Sequence, residues 1–301
     1  MPTASEQTRV LPGDSAACPV CGSLRHEPAH AGYVRCRGCR LLWNDPFPSP
    51  DEIAAYYRQK ASDGNYSGGI AVFDAQRADT YRRSLSRLTA AMPDGVWGKA
   101  VLDVGCFTGL SLDVLRGLGG EAYGLEYQPE AAAKAAARHP GRVRVGDICS
   151  APDFARRFDA ATLTDVIEHV PDPARALRTV AGLLHDGGWL LLTTPDTGSL
   201  LAGLLRSTWP SLCPIHHLHL FNRGNLTRLL HECGFEVHHA ESLWKWYSLE
   251  YINWIMPNFN ASLARLCSYV PKVLRRFVLP LNGGEMLLLA RKRKASLARA
   301  A

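Results

Sequence analysis

The stretch VLDVGCFTGLSL at residues 101–112 decides the fold of this chain. Its apolar run ends at Asp103, a short loop follows between Gly105 and Gly109, and a helical pattern begins directly after the loop. A strand, a tight glycine turn and a helix N-terminus in this order let the backbone approach a nucleotide-like cofactor closely. The next apolar run ends in a carboxylate, Glu126, at about the 20-residue spacing at which dinucleotide folds place their acidic ribose ligand. The stretch therefore predicts a site for an adenosine-type cofactor.

Around this loop the chain alternates strand and helix patterns. We expect strands near 100–105, 121–126, 142–146, 158–164, 187–194, 235–240 and 285–291, and helices near 109–118, 129–138, 174–185 and 223–232. Such an alternation predicts an α/β fold, with a Rossmann-like, doubly wound and mainly parallel sheet that carries helices on both faces. Ligands of these sheets lie beyond the carboxyl ends of the strands.

The segments before and after this α/β core differ from it in composition. We divide the chain into a disordered N-terminus (1–16), a cysteine-rich ribbon with a proline-rich linker (17–50), a helical cap (51–95), the core (96–242), an aromatic insertion (243–283), and a last strand with a basic tail (284–301). At the boundary between the linker and the cap, Ser49 or Asp51 is expected to start a helix that runs to about Tyr57. A loop is expected over 61–67 and a second helix over about 71–91.

Composition excludes several classes of protein. The 301 residues are 47% hydrophobic and 21% charged, and no apolar run approaches the roughly 18 residues that span a bilayer. The polar N-terminus shows no secretory signal, so a cytoplasmic location is expected. A formal net charge of +6 is mild and does not by itself require a nucleic-acid partner.

Five short motifs of the core together resemble those of class I S-adenosylmethionine (SAM)-dependent methyltransferases. They are DVGCFTG (103–109), Glu126, GDI (146–148), TDVIEHV (164–170) and LHDGGW (184–189), and the similarity covers about residues 99–240. The sequence is most similar to the subgroup that contains ubiquinone-type O-methyltransferases, which have Glu-His-Val after the fourth strand. The resemblance implies a seven-stranded sheet and SAM as cofactor.

The resemblance also implies roles for individual residues. Gly105 and Gly109 would let the methionine part of SAM lie on the loop, with Asp103 near its amino group. Glu126 would accept both ribose hydroxyls. Asp147 and the backbone of Ile148 would hold the adenine edge.

One position departs from the family pattern, because Phe107 stands where the family usually has a third glycine. A phenylalanine with positive φ would be strained, so either the turn differs there or this position is not left-handed. The dinucleotide fingerprint G-x-G-x-x-G is absent, which favours SAM over NAD.

Two histidine segments could supply a general base for an acceptor hydroxyl. His169 follows Glu168 after the fourth predicted strand, and the alternative is that it lines the cofactor pocket or packs the loop. His217 matches the histidine of the family's His-Leu-x-x-Phe segment, and the alternative is packing at a helix entry. A metal bound by His216, His217 and His219 is not favoured, since H-H-x-H lacks helical spacing.

Two cysteine pairs give the spacing C-x₂-C-x₁₄-C-x₂-C. This spacing predicts a structural zinc site formed by Cys18, Cys21, Cys36 and Cys39, with Gly22 and Gly38 in its tight turns. An iron cluster is the alternative. The five remaining cysteines are expected to be reduced thiols: Cys106, Cys149, Cys213, Cys233 and Cys267.

These features predict a methyltransferase for a small molecule or a glycan or secondary-metabolite intermediate, with O-methylation slightly favoured. One alternative is an RNA methyltransferase that grips RNA through arginines of the ribbon, and another is a non-catalytic zinc-ribbon adaptor. The aromatic insertion at 243–283 could cover the acceptor, contact a membrane or a partner, or simply pack on the sheet edge.

Overall fold

The computed structural model describes residues 17–62, 74–255, 265, 269, 271, 273–274 and 277–294. Several expectations lie outside these ranges: the disordered N-terminus, most of the loop at 61–67, the start of the second cap helix, Cys267, much of the aromatic insertion and the end of the basic tail.

A central seven-stranded sheet carries the core. The strands of the described residues are β1 (His26–Pro28), β2 (Tyr33–Cys36), β3 (Leu42–Asn44), β4 (Ala100–Val104), β5 (Glu121–Glu126), β6 (Val143–Val145), β7 (Phe158–Thr164), β8 (Leu184–Pro195), β9 (His219–Leu220), β10 (Phe235–Ser248) and β11 (Val278–Lys292). The order in the large sheet is β10-β11-β8-β7-β4-β5-β6. The pairs that join β8, β7, β4, β5 and β6 are parallel, whereas β11 is antiparallel to both of its neighbours.

Helices cover both faces of this sheet. They are α1 (Pro50–Ser62), α2 (Asp74–Ala91), α3 (Leu110–Gly117), α4 (Pro129–Arg138), α5 (Pro173–Leu183), α6 (Leu200–Leu205), α7 (Arg223–Glu232) and α8 (Leu249–Ile255). The predicted fold class is therefore confirmed. Within the described ranges, no helix combines the length and apolarity needed to span a bilayer.

Side chains of β4 alternate between two hydrophobic cores. Val101 packs toward the core that contains Leu85 of α2 and Leu112 of α3, whereas Leu102 and Val104 face the opposite core. That opposite core includes buried residues of the cysteine-rich segment, such as Trp43. The N-terminal module therefore shares a core with the sheet rather than standing apart from it.

The direction in which the chain adds strands to the sheet reverses between the neighbouring strands β4 and β7. From this point the chain order runs outward to β5 and β6 on one side and to β8 on the other. The crevice beyond the carboxyl ends of β4 and β7 is where open α/β sheets bind ligands. The loops that begin at Gly105 and Asp165 follow these two strands, so the crevice is the place to look for a site.

The structure differs from the expected elements in several places. Strand β8 already begins at Leu184, within the range expected for the preceding helix, and α6, α8 and β9 were not among the expected elements. Ser49 does start the first cap helix by pairing with Glu52, but the helix continues to Ser62, so residues 61–62 are not loop. Pro50 is already helical, because a proline is tolerated in the first helical turn. The last two strands also extend into the 243–283 segment, where Ser248 pairs with Val278.

Candidate active site

The glycine loop after β4 depends on two left-handed residues. Gly105 has φ +76°, and a Cβ on it would lie 2.5 Å from Cγ2 of Val166. Gly109 has φ +87° and forms the N-cap of α3, where a Cβ would lie 3.0 Å from the ring of His139. Both glycines are therefore required by the turn and by close packing.

Phe107 lies in the same loop with φ +48°. Of the two alternatives drawn from the sequence, the one in which this residue avoids the left-handed region is wrong. The conformation costs free energy in a bulky residue and persists only where the surroundings impose it. Here the N–H of Phe107 donates to Oε2 of Glu126 over 2.9 Å, and the Arg77 guanidinium lies 5.6 Å from the ring centroid.

The carboxylate of Glu126 is fixed at the end of β5. Its Oε1 accepts a hydrogen bond from the N–H of Gln128 at 2.8 Å, and its Oε2 accepts the bond from Phe107. Burial raises the pKa of this carboxyl, and the backbone hydrogen bonds oppose that rise. Each oxygen retains a further lone pair. The group is thus pre-oriented to accept two hydroxyl donors, as the ribose role requires.

The other predicted cofactor residues lie at the ends of β4 and β6. Asp103 is buried, and the hydroxyls of Ser111 and Thr162 donate to its two oxygens. Burial raises the pKa of Asp103 to about 6, although these hydrogen bonds oppose the shift. Asp147 accepts a bond from the N–H of Cys149 at 2.8 Å and caps the turn that contains the buried Ile148. The structure thus brings the predicted cofactor residues to one edge of the sheet.

Three histidines meet beyond the end of β7. The ring centroid of His169 lies 4.4 Å from that of His216 and 4.9 Å from that of His217. Burial lowers the pKa of His169 to about 3 and also lowers that of His217, so both rings are neutral near pH 7. His219 is not part of this group, since it is buried against Phe47.

A buried charged group next to these histidines was not assigned from the sequence. Nζ of Lys245 lies 2.9 Å from Oδ2 of Asp165 and also contacts Glu285. Burial lowers the pKa of Lys245, but the two carboxylates outweigh burial and hold it well above its usual value. Burial raises the pKa of Glu285 to about 7, with Lys245 opposing the shift. The only available signal was a lysine within an otherwise aromatic stretch.

Tyr81 of α2 is partly buried against the core that contains Val101 of β4. Burial raises the pKa of its phenol, and the carboxylates of Asp103 and Asp165 add to that rise. Helix α1 contributes a second aromatic side chain, because the ring of Tyr56 lies 5.5 Å from that of His216.

The four predicted zinc ligands come together in the N-terminal module. Their Sγ atoms all lie within 4.8 Å of one another, with 3.5 Å between Cys18 and Cys39 and 3.4 Å between Cys21 and Cys36. Tetrahedral zinc with bonds of about 2.3 Å requires sulfurs about 3.8 Å apart. The N–H groups of Gly38 and Cys39 donate to the sulfur of Cys36, as suits a thiolate. The residues present thus fit a zinc ion.

The left-handed residues that follow the two cysteine pairs are not both glycines. Gly22 has φ +69° directly after Cys21, as expected, but in the second turn the left-handed position is Arg40, with φ +65° directly after Cys39. The special turn geometry expected at Gly38 thus falls on Arg40. A Cβ on Gly38 would lie 3.5 Å from the sulfur of Cys21, an ordinary van der Waals distance, so neither φ nor space requires a glycine there.

The cysteine module also supports the histidine segment. Strand β3 pairs with β9, so β1, β2, β3 and β9 form one small sheet. The hydroxyl of the buried Tyr33 donates to the carbonyl oxygen of His217 at 2.7 Å. The amides of Asn222 and Asn225 donate to the carbonyl of Cys39. The module thus holds the histidine segment in place through backbone contacts on both sides of β9.

Comparison with known proteins agrees with this geometry. A family model described as a methyltransferase domain matches residues 73–240. The ubiquinone biosynthesis O-methyltransferase of Thiobacillus denitrificans is 36% identical over 104 residues, which cover 32% of this chain and 44% of that protein. The corresponding enzyme of Proteus mirabilis is 33% identical over 107 residues, covering 34% and 44%. The chain therefore spans less than half the length of these curated relatives.

A solved structure shows the same fold over a longer range. The 1,6-didemethyltoxoflavin-N1-methyltransferase of Burkholderia thailandensis, solved with 1,6-didemethyltoxoflavin and S-adenosylhomocysteine bound, aligns with a TM-score of 0.53. The alignment covers 90% of this chain and 100% of the other, at 17% identity. At that identity the likeness concerns the fold alone.

Proposed function

Because this chain belongs to the methyltransferase-domain family, we propose that it is a SAM-dependent enzyme that methylates a small molecule or a glycan or secondary-metabolite intermediate. One observation carries the proposal. The Glu126 carboxylate, oriented by the N–H groups of Phe107 and Gln128, lies beside the glycine loop at the switch point of the sheet. Its remaining lone pairs suit the two hydroxyls of a ribose.

Methyl transfer from a sulfonium needs alignment more than covalent help. When bound, SAM supplies an electrophilic methyl group on a good leaving group. The protein then has to hold the acceptor in line and exclude water. Gly105 and Gly109 give the cofactor a close-fitting loop.

We favour an oxygen atom as the methyl acceptor. The two curated relatives are named O-methyltransferases, which supports this choice. A hydroxyl must lose its proton as the new bond forms, so a group that accepts or displaces that proton is needed. His169 and His217 are neutral and adjacent, and we assign the activation of the acceptor to their segment.

We also propose that Cys18, Cys21, Cys36 and Cys39 hold one structural zinc ion. Four cysteine ligands complete its coordination, which suits support rather than catalysis. We also propose a cytoplasmic location, because two cysteine pairs with zinc-site spacing are typical of proteins kept in a reducing compartment. Metal analysis should find one tightly bound zinc per chain that is lost in Cys36→Ser. A folded wild type without metal would overturn the assignment.

Two measurements test the enzymatic proposal. Calorimetry should detect SAM binding by the wild type, and a protein that binds no SAM would leave only the adaptor alternative. Incubation with methyl-labelled SAM and a panel of hydroxylated acceptors, sugars and phenols among them, should then transfer label to a small molecule. Label found in RNA, with retention of RNA that falls steeply with salt, would favour the RNA methyltransferase instead.

A further inference from the structure

We propose that His169, His216 and His217 form a second metal site, separate from the four cysteines, for a divalent transition-metal ion that favours imidazole ligands. Each residue offers a ring nitrogen, and these three atoms lie within 4.8 Å of one another. Neutral imidazole suits zinc, nickel, copper and iron. The sequence places His216, His217 and His219 close together as candidate metal ligands. The structure instead groups His216 and His217 with His169.

Hydrogen bonds fix the tautomers of two of these rings. Nδ1 of His169 lies at hydrogen-bond distance from the carbonyl oxygen of His216, and Nδ1 of His217 lies 2.7 Å from the carbonyl oxygen of Ser211. A carbonyl oxygen only accepts, so each Nδ1 carries the proton and each Nε2 carries the lone pair. Metal-bound histidines commonly show this arrangement, with the second ring nitrogen donating to a backbone carbonyl.

The two segments that carry the histidines are held together before any metal binds. His169 lies on the turn after β7, and the N–H of Leu218 donates to the carbonyl oxygen of Glu168 at 2.7 Å. On the other side, the hydroxyl of Tyr33 holds the carbonyl of His217. A metal ion would therefore meet ligands whose backbone is already ordered, which favours tight binding.

Three protein nitrogens also leave a coordination position open, as in catalytic zinc sites. An ion there would lower the pKa of a hydroxyl that it binds. In that state the ion, rather than an imidazole, would activate the acceptor. This use of the ion rests on the proposed function, whereas metal binding itself does not.

Nickel titration of the zinc-loaded, full-length protein tests the site. We expect one Ni²⁺ per chain by calorimetry. His216→Gln and His217→Gln should each weaken its binding by about 10- to 100-fold or more. His239→Gln provides the matched control, because this histidine lies on β10, is exposed and pairs with Glu241 rather than with the cluster. A circular dichroism spectrum like that of the wild type shows that each variant is folded.

The outcomes separate the metal site from the proposed function. Absence of Ni²⁺ binding in the wild type, or equal binding by His216→Gln, His217→Gln and His239→Gln, would overturn the metal site. Calorimetry with SAM on the same preparation reports on the function independently. A protein that binds SAM but not Ni²⁺ retains the proposed function and loses the site, and the reverse result retains the site and loses the function.

Discussion

Replacing Glu126 with glutamine tests the cofactor site most directly. In the wild type each carboxylate oxygen accepts one backbone N–H and has a lone pair left for one ribose hydroxyl. In Glu126→Gln one of the two positions becomes an NH₂ group, which faces a backbone donor and cannot accept from the ribose. The variant thus loses at least one charge-assisted hydrogen bond to the ligand, worth about 1.5–3 kcal/mol.

This loss corresponds to SAM binding that is weaker by about 10- to 150-fold, since about 1.4 kcal/mol changes a dissociation constant tenfold. Thermal unfolding of the ligand-free variant should change little. The neutral amide removes the burial cost that raises the carboxyl pKa, and this gain offsets the lost backbone hydrogen bond. The effect on ligand binding is thereby separated from any effect on folding.

Isothermal titration with SAM is the assay, and Glu121→Gln is the matched control. Glu121 lies at the other end of the same strand, where its exposed carboxylate is 3.7 Å from Arg142 and 3.6 Å from Arg156. Surface pairs of this kind contribute little, so the control should bind SAM as the wild type does. Equal affinities for the wild type and Glu126→Gln would refute the ribose role of Glu126.

Three further substitutions test how the site is built. Gly105→Ala should lower the free energy of unfolding by at least about 1–2 kcal/mol, because alanine is disfavoured at this positive φ. The loss should be larger still because the new Cβ would clash with Val166. A melting temperature equal to that of the wild type would contradict this expectation. Tyr33→Phe removes the hydrogen bond to the carbonyl oxygen of His217 and should lower the free energy of unfolding in urea by about 1 kcal/mol. SAM affinity should not change. A large loss of SAM affinity would show that the histidine segment and the cofactor site are not independent. Lys245→Met leaves two partly buried carboxylates without their cation and should cost about 1–3 kcal/mol in the same assay, because Asp165 is 39% exposed and water screens part of the loss. Unchanged stability would mean that water replaces the cation at no cost.

Local patterns were sufficient for much of the fold. The predicted bounds of the strands at 121–126 and 158–164 and the helices at 129–138 and 223–232 match the structure. The two helices carry local start signals, a proline in the first turn of one and the capping box of Asn222 and Asn225 in the other. Such signals depend on neighbouring residues only, so a sequence can reveal them.

The last two strands were harder to predict because the length of each strand depends on its pairing with the other. Past Leu243 the pairing of β10 with β11 shifts register and then resumes at Lys245, opposite Leu281. Irregularities of this kind arise from contact between two strands that are distant in sequence. The aromatic residues around Lys245 indicated an insertion but did not indicate a continued hairpin.

The predicted cofactor residues were brought together by a pattern that the sequence itself shows. Gly105, Gly109 and Glu126 are separated by one helix and one strand, and the strand–turn–helix geometry fixes their relation in space. The grouping of residues that we propose for the acceptor was decided only by the tertiary structure. Lys245 reaches Asp165 across 80 residues, and His169 meets His216 across 47. No local periodicity encodes such contacts, because each joins two segments that are distant in sequence and meet only in the folded chain.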